Sequence, residues 1–217
     1  MTKRIVPVRQ ARIDLQIKKS TFIATGAPTR SVEEAKVFIS QIKAEFADAT
    51  HNVPAFIIGH GNSKVLHAGD DGEPPGTAGR PVLAVLEGSH FGDIAVVVTR
   101  YFGGIKLGTG GLVRAYRDSA KELISNMPKG LKTEVAVLGL VMPYSLYEQV
   151  HRLISSSHGT ITDQTFETEV KVIFEIEFSN AVAIRDAITE ISHGKSVPEI
   201  IETKESILNL RLEQTEQ

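Results

Sequence analysis

Apolar and polar positions alternate along ARIDLQIKKSTFIATGAPTR, residues 11 to 30, and this period of two predicts a pair of strands turning near Lys18, Lys19 and Ser20. The period then lengthens. In SVEEAKVFISQIKAEF, Ala35, Phe38, Ile39, Ile42 and Phe46 share one helical face, and Ser31 with Glu34 forms a capping box that opens the helix. VPAFIIG reads as a short strand. HGNSKVLHAGDDGEPPGTAGR reads as a polar loop of roughly twenty residues, a length that signals function or disorder inside a compact domain. Pro81 suits the first turn of a short helix, PVLAVLEG, which Gly88 ends. DIAVVVTRYF is a buried strand. A glycine loop follows and feeds a helix from about Thr109 to Asn126, with Leu112, Ala115, Tyr116, Ser119, Leu123 and Ile124 inward. SNMPKGLKTE interrupts the pattern and reads as a linker.

The second half continues as strand VAVLGLVM, helix SLYEQVHRLISSSH, strands TITDQTF and EVKVIFEIEF, helix AVAIRDAITEIS, and a last strand near SILNLRL. This βαββαβ order is the ferredoxin-like pattern. The expected fold class is therefore α+β in two domains, residues 1–130 carrying the Gly-rich loops and residues 135–217 forming the ferredoxin-like one.

Composition agrees with a globular chain: 41% of the 217 residues are hydrophobic and 23% charged. No apolar run reaches the roughly 18 residues of a membrane span, and MTKRIVPVRQARIDLQ lacks the apolar stretch of a signal peptide. The expectation is a cytoplasmic protein without a membrane partner. With no cysteine, disulfides, thiolate metal sites and a cysteine nucleophile are excluded. The net charge of −2 hides an asymmetry: residues 1–134 hold 18 Lys+Arg against 13 Asp+Glu, and residues 135–217 hold 6 against 13. A basic half that could bind anions is thus joined to an acidic half that could bind a basic protein or restrain its neighbour.

Gly103, Gly104, Gly108, Gly110 and Gly111 surround Lys106 just before the long helix. Glycines admit close backbone approach, and a helix N-terminus offers unpaired N–H groups, which together suit phosphate or carboxylate. The loop is neither a P-loop, because Leu107 follows Lys106, nor a dinucleotide fingerprint, because Val113 stands where glycine or alanine is needed. A tight turn is the structural alternative. Arg100, Lys106, Arg114 and Arg117 lie in a stretch without an acidic residue and could contact a phosphate backbone; Arg114 and Asp118, four apart, could equally form a surface pair. In the long loop, His67, Asp70, Asp71 and Glu73 precede Pro74, Pro75, Gly76, Thr77, Ala78, Gly79 and Arg80. Carboxylates there could hold magnesium or act as general base, but no histidine spacing completes a metal site, and a solvated turn is favoured. His51 could cap, pack against the core or line a site. No metal and no cofactor is expected.

DDGEPPGTAGRP and VVVTRYFGGIKLGTGGLVRAY, with ATHNVPAF upstream, resemble the signature of the IMPACT/YigZ family in its short bacterial branch. The family motif coincides with His51, Asp70, Asp71, Glu73, Thr77, Gly79, Arg100, Gly103, Gly104, Lys106, Gly108, Gly111, Arg114 and Tyr116; Pro75 departs from it, where relatives often have a small residue. The resemblance implies an N-terminal α/β sandwich like the second domain of small-subunit ribosomal protein five and a ferredoxin-like second domain. Similar folds follow one another in elongation factor G, which points to the ribosome or RNA as partner. Eukaryotic relatives are associated with control of translation initiation through kinase signalling, by way of an additional N-terminal domain, so that route is not carried over.

Two functions remain beside a third possibility, a protein-interaction scaffold whose glycine loops are purely architectural. In the first, a non-enzymatic, translation-associated protein binds RNA or a ribosomal partner through Arg100, Lys106, Gly108, Gly110, Gly111, Arg114 and Arg117. In the second, an enzyme holds a small phosphorylated or carboxylated substrate between the glycine loop and a set drawn from His51, Asp70, Asp71 and Glu73.

Overall fold

A computed structural model describes residues 4–209; the last three residues of SILNLRL lie outside that range. Contacts divide the chain into two compact units, one reaching to Leu131 and the other spanning Lys132–Ser206.

In the first unit, β2 (Ala11–Ile17) and β3 (Ser20–Pro28) pair antiparallel about the two-residue turn Lys18–Lys19, with Lys18 at φ 54°. The sheet runs β2-β3-β6-β4-β5, where β4 is His51–Ile58, β5 is Val65–Ala68 and β6 is Ile94–Tyr101. Strand β6 is central and covered on both faces, which is why its sequence is a continuous apolar run and not an alternation. On one face Ala27, Phe56, Ala95 and Val97 meet Ala35, Phe38 and Ile42 of α1 (Val32–Glu45). Ser31 Oγ accepts the Glu34 N–H at 3.1 Å, while the Glu34 carboxylate reaches the Arg30 N–H at 2.7 Å, one residue before the capping-box position.

On the other face Phe22, Ala24, Val53, Ala55, Ile57, Val96 and Val98 pack against α2 (Gly79–Gly88) and α3 (Gly108–Asn126). The predicted inward stripe of α3 is buried throughout. Each fully buried aliphatic side chain here contributes about 1.5–3 kcal/mol. The twenty-residue loop is shorter than expected. Gly61–Ser63 forms one 3₁₀ turn, and Val65–Ala68 pairs with Ala55–Ile58 as an edge strand, leaving an irregular segment only from Gly69 to Ala78. Four residues are too few for a period to be read, and what makes them a strand is the free edge of β4.

SNMPKGLKTE is not a free linker. Ser125 and Asn126 end α3, Met127 is buried, and β7 (Lys129–Met142) begins directly after Pro128. β1 (Arg4–Pro7) joins the sheet beside β7, and the Val8 N–H donates to the Pro128 carbonyl at 3.1 Å. The second unit then follows the predicted βαββαβ order: β7, α4 (Tyr144–Ser156), β8 (Thr160–Phe166), β9 (Val170–Glu177), α5 (Ala181–Ile191) and β10 (Glu199–Asn209), with strands ordered β10-β7-β9-β8. Leu138, Leu140, Met142, Val172, Phe174 and Ile176 meet Val150, Ile154, Ile184 and Ile188 in its core. Among the described residues no helix is long and apolar enough to cross a membrane.

Candidate functional site

Register brings three side chains to one point at the end of the first sheet. Arg100 on β6 lies opposite both Phe22 on β3 and His51 on β4, on the face that packs against α2 and α3. Arg100 is therefore not a surface cation, as the sequence suggests, but is only 5% exposed. Its Nη1 donates to Glu73 Oε1 at 2.6 Å, and the Tyr116 hydroxyl of α3 donates to the same oxygen at 2.8 Å. Glu73 is 6% exposed and Tyr116 fully buried. The Arg100 guanidinium also packs over the rings of Phe22 and Phe102, each 5.5 Å from its centroid, and Phe22 meets Tyr116 edge-on at 5.3 Å. Burial above all, then the charge and hydrogen bond of Glu73, push the Tyr116 phenol well above its ordinary pKa, so it remains a donor.

The two Gly-rich segments thus converge, through Glu73 from one and Arg100 and Tyr116 from the other. The other loop acids serve the backbone. Asp70 Oδ1 accepts the N–H groups of Ala78 and Gly79 at 3.1 and 2.9 Å, and Oδ2 accepts that of Gly76 at 2.7 Å. It caps α2 from eight residues away, since Ala78 at the N-cap position has no side chain to do so. Thr77 closes the turn with its hydroxyl on the Pro74 carbonyl at 2.7 Å. Asp71 accepts the Asn52 N–H at 2.6 Å and pairs with Lys43 on α1, while its carbonyl accepts from His51 Nδ1 at 2.7 Å. That bond leaves His51 Nε2 facing Glu73 Oε2 at 3.9 Å. His67 stacks on Phe56 at 5.0 Å. Among the described residues no group of three or more histidines and carboxylates could hold a metal ion.

Burial opposes ionisation of Asp70, but the three backbone hydrogen bonds and the nearby Arg80 charge outweigh it, so its carboxyl titrates below the usual aspartate range. A carboxyl with a lowered folded pKa contributes its full stability above the unfolded value of about 3.9 and loses it as pH falls through the folded value. Asp70→Asn keeps one acceptor oxygen but sets its N–H₂ against the donors that the other oxygen held, Gly76 on one side or Ala78 and Gly79 on the other. It is expected to lower unfolding free energy by about 1–2 kcal/mol at neutral pH, the difference from wild type shrinking in urea melts as pH falls below the usual aspartate range and the Asp70 carboxyl takes up its proton.

The other sequence-selected cations are exposed, on the first three turns of α3 and the loop before it. Lys106, Arg114 and Lys121 make no ion pair among the described residues, whereas Arg117 meets Asp118 at 3.5 Å. The pair suggested by spacing, Arg114 with Asp118, is not the one formed. A groove of about 570 Å³ is lined by Ile17, Lys18, Leu107, Gly110, Gly111, Arg114 and Asp118, the acid being the one that Arg117 meets. Lys18, read in the sequence only as part of a turn, is brought there by the β2–β3 hairpin. No side chain caps α3, and no acid occupies its first turn. Gly108 has φ +72°, a conformation that favours glycine; Gly110 does not, and a Cβ there would meet nothing within 4 Å.

These features define an α+β protein of two units, whose N-terminal α/β sandwich ties two Gly-rich segments together through a buried carboxylate. Residues 18–124 match the Impact N-terminal domain, and residues 140–195 match a domain of unknown function (DUF1949). The chain belongs to the IMPACT family. It is 35% identical over 206 residues to an IMPACT family member of Haemophilus influenzae, covering 94% of this chain and 100% of that one. It is 34% identical over 195 residues to the IMPACT family member YigZ of Escherichia coli, covering 89% and 96%. A crystal structure of a hypothetical protein matches with a TM-score of 0.60 at 34% identity, covering 93% of this chain and 98% of that one.

Proposed function

We propose that this protein acts in translation control by binding the phosphates of RNA through the groove between the β2–β3 turn and the start of α3. The carrying observation is Gly110, a glycine inside a helix that neither its backbone angle nor its surroundings require. Glycine there sacrifices roughly 0.5–1 kcal/mol of helix stability relative to alanine, a cost that close approach of a ligand to the open N–H groups of α3 accounts for. Lys18 and Arg114 line the groove and Lys106 stands in the loop just before α3, and none of the three forms an ion pair among the described residues. The setting in translation rests on the family resemblance. An enzymatic reading is less well supported, because Asp70 and Asp71 already spend their oxygens on backbone N–H groups and Lys43.

The test is co-sedimentation with ribosomes and filter binding to ribosomal RNA across a salt series. Lys106→Ala/Arg114→Ala is expected to weaken binding about tenfold at low salt and to flatten the log–log salt dependence by about 1.4, the loss of two phosphate contacts. Gly110→Ala is expected to raise thermal stability while weakening binding. Binding that ignores salt and both variants overturns the proposal.

A further inference from the structure

Resting on that reading, we propose that Phe102 is a stacking platform for an unpaired base, so that the RNA recognised is single-stranded. Phe102 is 45% exposed, at the point where β6 gives way to the glycine loop. A solvent-facing phenylalanine on a mobile loop would carry no such meaning, but this one is held from several sides. Its N–H donates to Thr50 Oγ1 at 3.0 Å, and the next N–H, that of Gly103, donates to Ser20 Oγ at 3.3 Å. Beneath the ring lies the Arg100 guanidinium, itself fixed by Glu73. The ring is therefore set in place before any ligand arrives, and little ordering entropy remains to oppose stacking.

Charge around the platform suits a nucleotide. Gly103 lies directly against the Lys19 backbone, which places the exposed Lys18–Lys19 turn beside Phe102, and Lys106 follows four residues on. Of the acids nearby, Glu73 is engaged by Arg100 and Tyr116, Asp118 by Arg117, and Asp48 by the Tyr101 hydroxyl at 2.8 Å, from the residue whose side chain alternates to the other face of the strand. An aromatic face flanked by unpaired cations is the arrangement by which single strands are held without sequence preference: bases stack and phosphates find lysine. A duplex keeps its bases stacked on one another and offers nothing to the ring.

The experiment measures binding of the full chain to a single-stranded oligouridylate, to an abasic strand of equal length and to duplex RNA, by fluorescence anisotropy across a salt series beginning at low salt. Phe102→Ala is expected to weaken oligouridylate binding about ten- to a hundredfold, with abasic-strand and duplex binding unchanged and an unaltered salt slope. Phe102→Trp is expected to retain or improve affinity, and Phe102→Leu to behave as the alanine variant. The proposal is overturned if Phe102→Ala binds as wild type, if leucine restores affinity, or if abasic and duplex binding fall equally. Loss of binding in Lys106→Ala/Arg114→Ala with none in Phe102→Ala sinks only the stacking platform. Absence of RNA binding by the wild type sinks both it and the phosphate-binding reading.

Discussion

Glu73→Ala should unfold with about 3–5 kcal/mol less free energy than the wild type, because it leaves the Arg100 guanidinium buried without its anion. The effect is large for two reasons. Both side chains lie almost wholly out of water, so neither can recover its hydration when the other is removed. The same carboxylate oxygen also accepts from Tyr116, so its loss frees a second buried donor, on α3. Arg100 Nε already has no hydrogen-bond partner, so loss of Glu73 leaves the guanidinium resting on the rings of Phe22 and Phe102 without an anion. Tyr116→Phe, by contrast, removes one donor and keeps the ion pair, and should cost only about 1 kcal/mol. The double variant Glu73→Met/Arg100→Leu should recover most of the loss, since apolar groups of similar volume need no pairing. Denaturant titrations of the four proteins separate these values. A Glu73→Ala variant as stable as Tyr116→Phe would show that the pair is not the joint described here.

Gly103→Ala is expected to be comparably damaging, with at least about 3 kcal/mol lost or no soluble folded protein recovered. A Cβ at this position would sit 1.6 Å from the Lys19 carbonyl oxygen and 2.0 Å from its carbon. Both are backbone atoms of the β2–β3 turn, so no rotamer change relieves the overlap; either the turn or the glycine loop must move. Gly110→Ala serves as the control, since its Cβ meets nothing within 4 Å. Opposite signs for two Gly→Ala changes seven residues apart, read as thermal midpoints, would separate the architectural glycine of this loop from the one left open. Equal destabilisation by both would count against the ligand-binding role of Gly110.

The chain's local order was legible wherever a period ran long enough to be read. α1, α3 and the succession from β7 to α5 follow from spacing alone, because a helix or strand that buries one face must repeat its apolar residues at 3.6 or 2, whereas β10 opens at Glu199, seven residues before the predicted SILNLRL. Val65–Ala68 escaped notice because four residues carry no period, and the start of β7 because Pro128 and Gly130 read as breakers. In the site, the cations of α3 and the open glycines could be read directly. The buried role of Arg100 could not, since an arginine after VVVT has the same sequence signature whether its head reaches water or a carboxylate.

Sequence by itself determined the elements, the contrast between a basic and an acidic half, and the two Gly-rich segments in which chemistry could reside. Tertiary structure alone decided that Glu73 meets Arg100 and Tyr116, 27 and 43 residues away, that Asp70 caps a helix it does not adjoin, and that Lys18 and Lys19 stand beside the glycine loop. The physical reason is that periodicity reports burial of neighbours along the chain, whereas pairing of charges depends on strand register and helix placement. Those are settled only when the whole core closes.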